Sequence, residues 1–310
     1  LSTFKVDKSY HFKGFLLASE NYLKKHNMKK ILYLVLLLSA VKLQAQQSAT
    51  FKISYLPNHT YDGAINLKAV CHVNLSGNDT IIAKITAKGI PLPLTANLEM
   101  KMGMSTKTGP AMADQSIPAS MKISFDDLGV ELNGNKLPIP LEKLGQGISV
   151  AGRFDKDGVF QADTAGEKAT GDPMGQKLKK MTDGFQKKIK FPDHPMKVGE
   201  SFTQGLPFNM PITDSKLKID AKTVYTLTSI ADGFAYFDLK PSIDVSIPIK
   251  GNTLTITGGG SGKMVYSIKD NFATESTTTF NLKISGLIAK MQIDATADFE
   301  MGYKYTITTN

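Results

Sequence analysis

"MQIDATADFEMGYKYTI", Met291 to Ile307, alternates without interruption. Met291, Ile293, Ala295, Ala297, Phe299, Met301, Tyr303, Tyr305 and Ile307 hold the odd positions, while Gln292, Asp294, Thr296, Asp298, Glu300, Lys304 and Thr306 hold even ones. Successive side chains of an extended backbone point to opposite faces, so this run has one apolar and one wetted face. At about 3.3 Å per residue it reaches on the order of 50 Å, beyond the length of an ordinary strand. Strands of that length twist and curve, and their apolar side requires a cover.

The same alternation recurs along the chain. It is seen at Leu92, Leu94, Ala96, Leu98, Met100, Met102 and Met104, and again at Leu217, Ile219, Ala221, Tyr225 and Leu227. Shorter examples are Ile243 to Ile249 and Phe280 to Ile284. Asp62-Gly63, Asn133-Gly134, Asp157-Gly158 and Asp232-Gly233 offer the left-handed backbone of tight hairpins. These features predict a mainly β protein of long, curved antiparallel sheets.

One segment has a different period. Asp172 as N-cap and Pro173 at the first helical position lead into Met174, Leu178, Met181, Phe185 and Ile189, with Lys177, Lys179, Lys180, Lys187 and Lys188 elsewhere on the wheel. The spacing predicts an amphipathic helix over 173–190, weakened at Asp183-Gly184. Lysines on its wet face also suit an anionic membrane surface, but the sheets need covering and the helix is read as their plug. The predicted organisation is a first β-rich lobe at 46–170, a helical connector at 171–195 and a second β-rich lobe at 196–310. "GRFDKDGVF" and "GKMVYSIKDNFATE" share a plan of Gly, strand, turn and returning strand. That plan allows the lobes to be similar.

From Met28, "MKKILYLVLLLSAVKLQAQQ" is built as an export signal: Lys29 and Lys30, then the apolar run Ile31 to Leu38, then the small-residue exit Leu43-Gln44-Ala45. Lys42 stops the run short of the roughly 20 apolar residues that a membrane span needs. Residues 28–45 are therefore expected to be removed, leaving no transmembrane helix. Residues 1–27 read as upstream or mis-started sequence outside the fold. The periplasm or outer envelope is the expected location, with the extracellular space an alternative.

The chain carries a net charge of +9, but residues 1–45 hold eight of the lysines and two of the acids. Without them 29 basic residues face 26 acidic ones, a net charge of +3. With Arg153 as the sole arginine, nucleic-acid binding is not expected. A lone cysteine, Cys71, cannot form an internal disulfide, so stability has to come from a core.

"FPDHPMKVGESF" (191–202), "VYTLTSIADGFAYFDL" (224–239) and "GKMVYSIKDNFATES" (262–276) resemble a family of exported, β-rich proteins of unknown function common in Bacteroidota. In that family a "P..PV.VGD.W" segment links two β-rich portions, and Phe202 stands here where Trp is expected. The resemblance implies an envelope location and a β-rich build, and supplies no catalytic residue. In such exports Asp79-Thr80-Ile81 and Asp163-Thr164-Ala165 would fit a short O-glycosylation pattern.

No reactive cluster emerges. "GGGSGK" at 258–263 has Thr257 in place of the first glycine of a phosphate loop and Met264 in place of the magnesium-holding hydroxyl, and it is read as a hairpin loop. Asp155 and Asp157 lack the remaining ligands of a calcium loop. Cys71 and His72 are neighbours on a strand and point apart, with Cys71 on the apolar side as a buried thiol. His59 and His194 lie beside prolines and read as surface loop residues. Met100, Met102 and Met104 share one strand face. Clustered thioethers suit Cu(I), but Leu98, Ala96 and Leu94 continue the stripe, which favours packing or cavity lining.

The sequence thus predicts an exported, non-enzymatic envelope protein that binds a lipid-like or other apolar molecule and uses no cofactor or metal. The expected lining is Leu98, Met100, Met102, Met104, Met174, Leu178, Met181 and Phe185. A structural or interaction module binding protein or glycan is the alternative. An outer-membrane barrel fits less well, given the absence of Trp and the mid-chain helix.

Overall fold

The computed structural model describes residues 48–87, 89, 91–138, 147–163, 189–212, 215–249, 252–288 and 290–310. Residues 1–27, the expected leader at 28–45 and the bulk of the 173–190 segment lie outside them. The described chain is mainly β: β1 (Ser48–Ala49), β2 (His59–Ser76), β3 (Leu94–Thr108), β4 (Ile117–Leu132), β5 (Asn135–Lys136), β6 (Ile148–Phe154), β7 (Phe160–Ala162), β8 (Met196–Lys197), β9 (Ser201–Ile212), β10 (Ser215–Ala231), β11 (Phe234–Ile249), β12 (Asn252–Ser267), β13 (Phe272–Ile288) and β14 (Met291–Thr309). Among the described residues one helix is present, α1 (Asp79–Ala87).

Twelve strands form one antiparallel sheet in the order β7-β6-β4-β3-β2-β14-β13-β12-β11-β10-β9, with β5 paired to β4. Almost every neighbour is also the neighbour in sequence. The exceptions are β4 and β6, which flank the short β5, and the seam between β2 and β14, which is in register from Thr309 opposite His59 to Gln292 opposite Ser76. The seam joins the strands of the first half to those of the second. β1 and β8 form a separate two-stranded ribbon.

The alternation fixes which side is which. Directly opposed residues share a face, so the odd positions of β14 line up with Leu75, Val73, Cys71, Ala69, Leu67 and Ile65 of β2. They are matched in turn by the stripe from Leu94 to Met102 on β3. The opposite face carries exposed ion pairs such as Lys68–Glu99 at 3.6 Å and Lys304–Glu275 at 3.7 Å. Pairs this exposed add little stability.

The sheet curls toward its apolar side. The Tyr55 ring stacks on Phe154 of β6 at 4.1 Å and meets Phe272 of β13 at 5.4 Å. Those strands are five steps apart, roughly 24 Å on a flat sheet. Glycine permits part of the curl: a Cβ on Gly258, Gly260 or Gly262 would lie 2.3, 1.9 or 2.4 Å from carbonyl oxygens of β13. The "GGGSGK" stretch is therefore the interior of β12 and not a hairpin loop. Small residues stand there because two backbones approach too closely for side chains.

Asp62-Gly63 likewise lies within β2 and makes no turn. The Tyr305 ring covers Gly63, whose Cβ would fall 2.3 Å from that ring. Asp232-Gly233 does turn the chain between β10 and β11, with φ of 51° and 81°.

The sheet is not closed into a barrel. Its terminal strands, β7 and β9, are not paired with each other. Glu200 accepts from the Leu227 N–H, which makes the even residues of β9 the ones bonded to β10. Pro207 and Pro211 then fall on the edge that no described strand pairs with, where proline deprives an incoming strand of donors. A membrane barrel also turns its apolar side chains outward, the reverse of this curl.

Candidate functional site, an apolar trough

One end of the curl is sealed. The irregular stretch 50–58 crosses it and inserts Phe51, whose ring lies 5.2 Å from both Phe237 and Tyr266. From the other side comes "FPDHPMKVGESF". Phe191 packs on Phe51 at 5.4 Å and Met196 is fully buried. The Gly199 N–H donates to the Leu227 carbonyl, and Glu200 accepts from the Lys197 N–H and pairs with His194 at 3.0 Å. The segment that carried the family resemblance is thus a strap across this end of the sheet. Phe237, Leu227 and Met264 beneath it are 1%, 0% and 1% exposed.

Phenols belong to the same plug. The Tyr61 oxygen accepts from the Leu56 N–H at 2.6 Å, and Tyr266 donates to the Lys52 carbonyl at 2.6 Å. Burial pushes the Tyr55 phenol up to about 12, with Tyr61 adding to the shift and a hydrogen bond with Thr106 opposing it. Burial likewise raises Tyr61 to about 12. Tyr225, Tyr266, Tyr303 and Tyr305 are all raised, burial being the largest cause in each.

Away from the plug the apolar side continues, and no plug segment among the described residues extends over it. In one cross-strand row Leu128, Met100, Leu67, Met301, Thr278, Gly262 and Leu239 stand side by side. Met100 and Leu239 on the walls are buried, whereas Met301 on the floor is 39% exposed. The next rows contain Ala69 beside Phe299 and Phe280, then Cys71 beside Ala297 and Leu282. Leu67, Cys71, Val73, Leu75, Phe299 and Ile293 are all half-buried. From Ile65 to Leu75, and from β4 across to β13, this face measures roughly 33 by 19 Å. That footprint is on the order of 600 Å², and within it Ala69, Met100, Met102 and Ala297 are buried while Leu67, Phe299 and Met301 keep part of their surface open. No charged side chain occupies these rows on β3, β2, β14 or β13.

The expected lining residues fall in two groups. Leu98, Met100, Met102 and Met104 share the apolar face of β3, with Met100 and Met102 buried in the wall and Leu98 and Met104 half-buried. Tyr305 donates to the Met104 sulfur at 3.9 Å. Met174, Leu178, Met181 and Phe185 lie outside the described residues. Sequence reasoning missed the floor itself, Leu67, Met301 and Phe299. Their alternation was visible, but which strands would sit centrally depends on the β2–β14 seam.

Cys71 is half-buried on the floor, and burial raises its thiol, with Asp298 adding to the effect. The histidines stand apart from one another. His59 bonds the Pro57 carbonyl, His72 bonds Thr95, and His194 bonds Glu200. Asp155 turns its carboxylate onto the N–H groups of Asp157 and Val159, its own hairpin. Among the described residues no three His, Cys, Asp or Glu side chains converge as metal ligands, and no helix is long and apolar enough to cross a membrane. On the outer face His72, Asn74, Thr257, Lys283, Asp294 and Thr296 border an open depression of about 460 Å³.

The chain matches no protein-family model and no curated protein sequence. Among solved structures it is similar to a lipovitellin chain from a study of lipid–protein interactions, with a TM-score of 0.43 and 10% identity over 83% of this chain. This chain spans about a quarter (26%) of the length of that one. A second similarity is to the β domain of the Bordetella autotransporter Brka, with a TM-score of 0.19 and 8% identity, covering 79% of this chain and 99% of that domain.

Proposed function

We propose that this protein is an exported, non-enzymatic envelope protein that holds a lipid-like molecule in the trough. The carrying observation is the half-exposed, uncharged floor around Met301, Leu67 and Phe299, bounded by buried walls. Fully burying a Leu, Met or Phe side chain contributes about 1.5–3 kcal/mol, so each half-covered floor residue leaves roughly 1 kcal/mol unrealised. Acyl chains would recover it without requiring any polar group on the floor. The backbone groups of the floor are already satisfied by the sheet ladder, so a headgroup finds no partner there and belongs outside the trough. The resemblance of residues 191–202, 224–239 and 262–276 to exported Bacteroidota proteins belongs to the same reading.

The test is mass spectrometry of solvent extracts from natively purified protein, combined with modification of the single cysteine. A lipid should co-purify in stoichiometric amount, and its removal should speed alkylation of Cys71. Lipid-free protein whose Cys71 reactivity ignores added fatty acid would end this reading.

The outer depression supports a second reading, an interaction module for a polar partner such as a glycan. Thr257, Lys283, Asp294 and Thr296 present donors and acceptors there. Binding of oligosaccharides that Lys283→Ala abolishes would favour it.

A further inference from the structure

The end of the trough opposite the strap is built differently from the sealed end. There β2 gives way to α1, which leads back to β3. Asn78 caps the helix, accepting from the Ile81 N–H on its side chain and the Ile82 N–H on its carbonyl. Ile81, Ile82 and Ile85 fall within one 100° arc of the helix, yet none of its residues is buried. A nine-residue helix is marginal without packing of its apolar edge, and this edge lacks full cover.

Adjacent turns complete a lip. Asn133, in the β4–β5 hairpin, donates to the Pro91 carbonyl and accepts from the Thr95 N–H. Gly77, at the start of the α1 connection, abuts the Lys290 carbonyl in the β13–β14 turn. The floor remains half-exposed up to this lip, at Leu75 and Met291. Leu137 and Leu287 add exposed apolar side chains, at 43% and 42%.

The lip also carries exposed lysines. Among the described residues of the lip, the β4–β5 hairpin included, stand Lys84, Lys136 and Lys290, all exposed, against Asp79 and Glu131. Lys136 reaches Glu131 at 4.0 Å, with its side chain 86% exposed. Among the described residues the sealed-end connections carry Asp114, Asp155, Asp157, Asp193, Glu200, Asp232 and Asp270 against five lysines.

We propose that this lip docks on an anionic lipid surface, with the isoleucine edge of α1 entering the interface and Lys84, Lys136 and Lys290 meeting the headgroups. The proposal rests on the trough being a lipid site, since docking there brings the half-exposed floor up against the source of its ligand. Apolar insertion flanked by lysines is the chemistry of interfacial helices.

The chain has no Trp, so Ile85→Trp supplies a fluorophore that reports position 85 alone. Vesicles of phosphatidylcholine with phosphatidylglycerol should shift its emission to the blue, brominated lipid should quench it, and phosphatidylcholine alone should do neither. Lys84→Gln, Lys136→Gln and Lys290→Gln in that background should each raise the lipid concentration at mid-transition roughly fivefold. Unchanged melting temperatures would show that these exposed substitutions leave the fold intact. An emission that ignores anionic vesicles, or a midpoint unmoved in the triple lysine variant, overturns the docking. Lipid co-purifying with an Ile85→Trp protein whose fluorescence stays flat would sink the docking alone. A blue shift on anionic vesicles in a protein that never carries lipid would sink the trough reading and leave the docking in place.

Discussion

Tyr303 and Met301 are two residues apart on the same face of β14, yet they inhabit different surroundings. Tyr303 packs against the sealed core beside Tyr225, four strands away along the sheet, and its phenol is raised chiefly by burial. Met301 is 39% exposed. The strand and its alternation are the same. What differs is that rings from outside the sheet, Phe51, Tyr55 and Phe191, complete one end. Alternation makes an apolar face; whether that face becomes core or surface is decided by segments that do not alternate.

The contrast can be broken most severely with alkali. Phenols whose folded pKa lies above the unfolded value of 10 stabilise the fold fully below pH 10, and that contribution is lost as pH rises through 12, because the unfolded state then binds fewer protons. Stability measured by urea titration should be flat up to pH 10 and collapse by about pH 12, with tyrosinate absorbance appearing in the same transition. Free titration of every tyrosine near pH 10 with no loss of structure would mean that the plug is open.

Next in size is Phe237→Ala, which removes a ring held between Phe51 and Phe191 and should cost about 3–5 kcal/mol in chemical denaturation. Met301→Ala on the floor should cost less than about 1 kcal/mol by the same measurement, since little packing is lost. Equal losses would erase the distinction between the ends. The curl offers a smaller test: Gly260→Ala drives a methyl into the Thr279 carbonyl and should cost about 1–3 kcal/mol, whereas Gly302→Ala, with its nearest atom 3.5 Å away, should be nearly neutral. The smallest effect on stability and the most telling for function is Met301→Lys. It should leave the melting temperature within a few degrees while lowering the lipid recovered from purified protein severalfold.

The strands and their faces could be read from the sequence because period 2 is a local property, so Met291 to Ile307 announced β14 and the Leu94 to Met102 stripe announced β3. Two glycine readings failed for a shared reason. Asp62-Gly63 and Gly258 to Lys263 have the composition of turns, but their glycines answer to neighbours distant in sequence, the Tyr305 ring and the β13 backbone. The helix α1 was hidden inside a glycosylation-like triplet, although Asn78 before Ile81, Ile82 and Ile85 is a cap followed by an apolar edge. Of the expected site, the β3 stripe could be found by periodicity. The floor could not, because β2 and β14 meet through pairings some 230 residues apart, as in Met301 opposite Leu67.

That seam bears on how the molecule is made. β2 emerges early but acquires one of its two partners only when β14 has left the ribosome, and Thr60 then reaches Asn310 through a hydrogen bond of 2.6 Å. Until that moment the β2–β14 seam, and with it the floor, cannot form. Contacts of such long separation close slowly. The protein therefore spends its synthesis unable to finish its own centre.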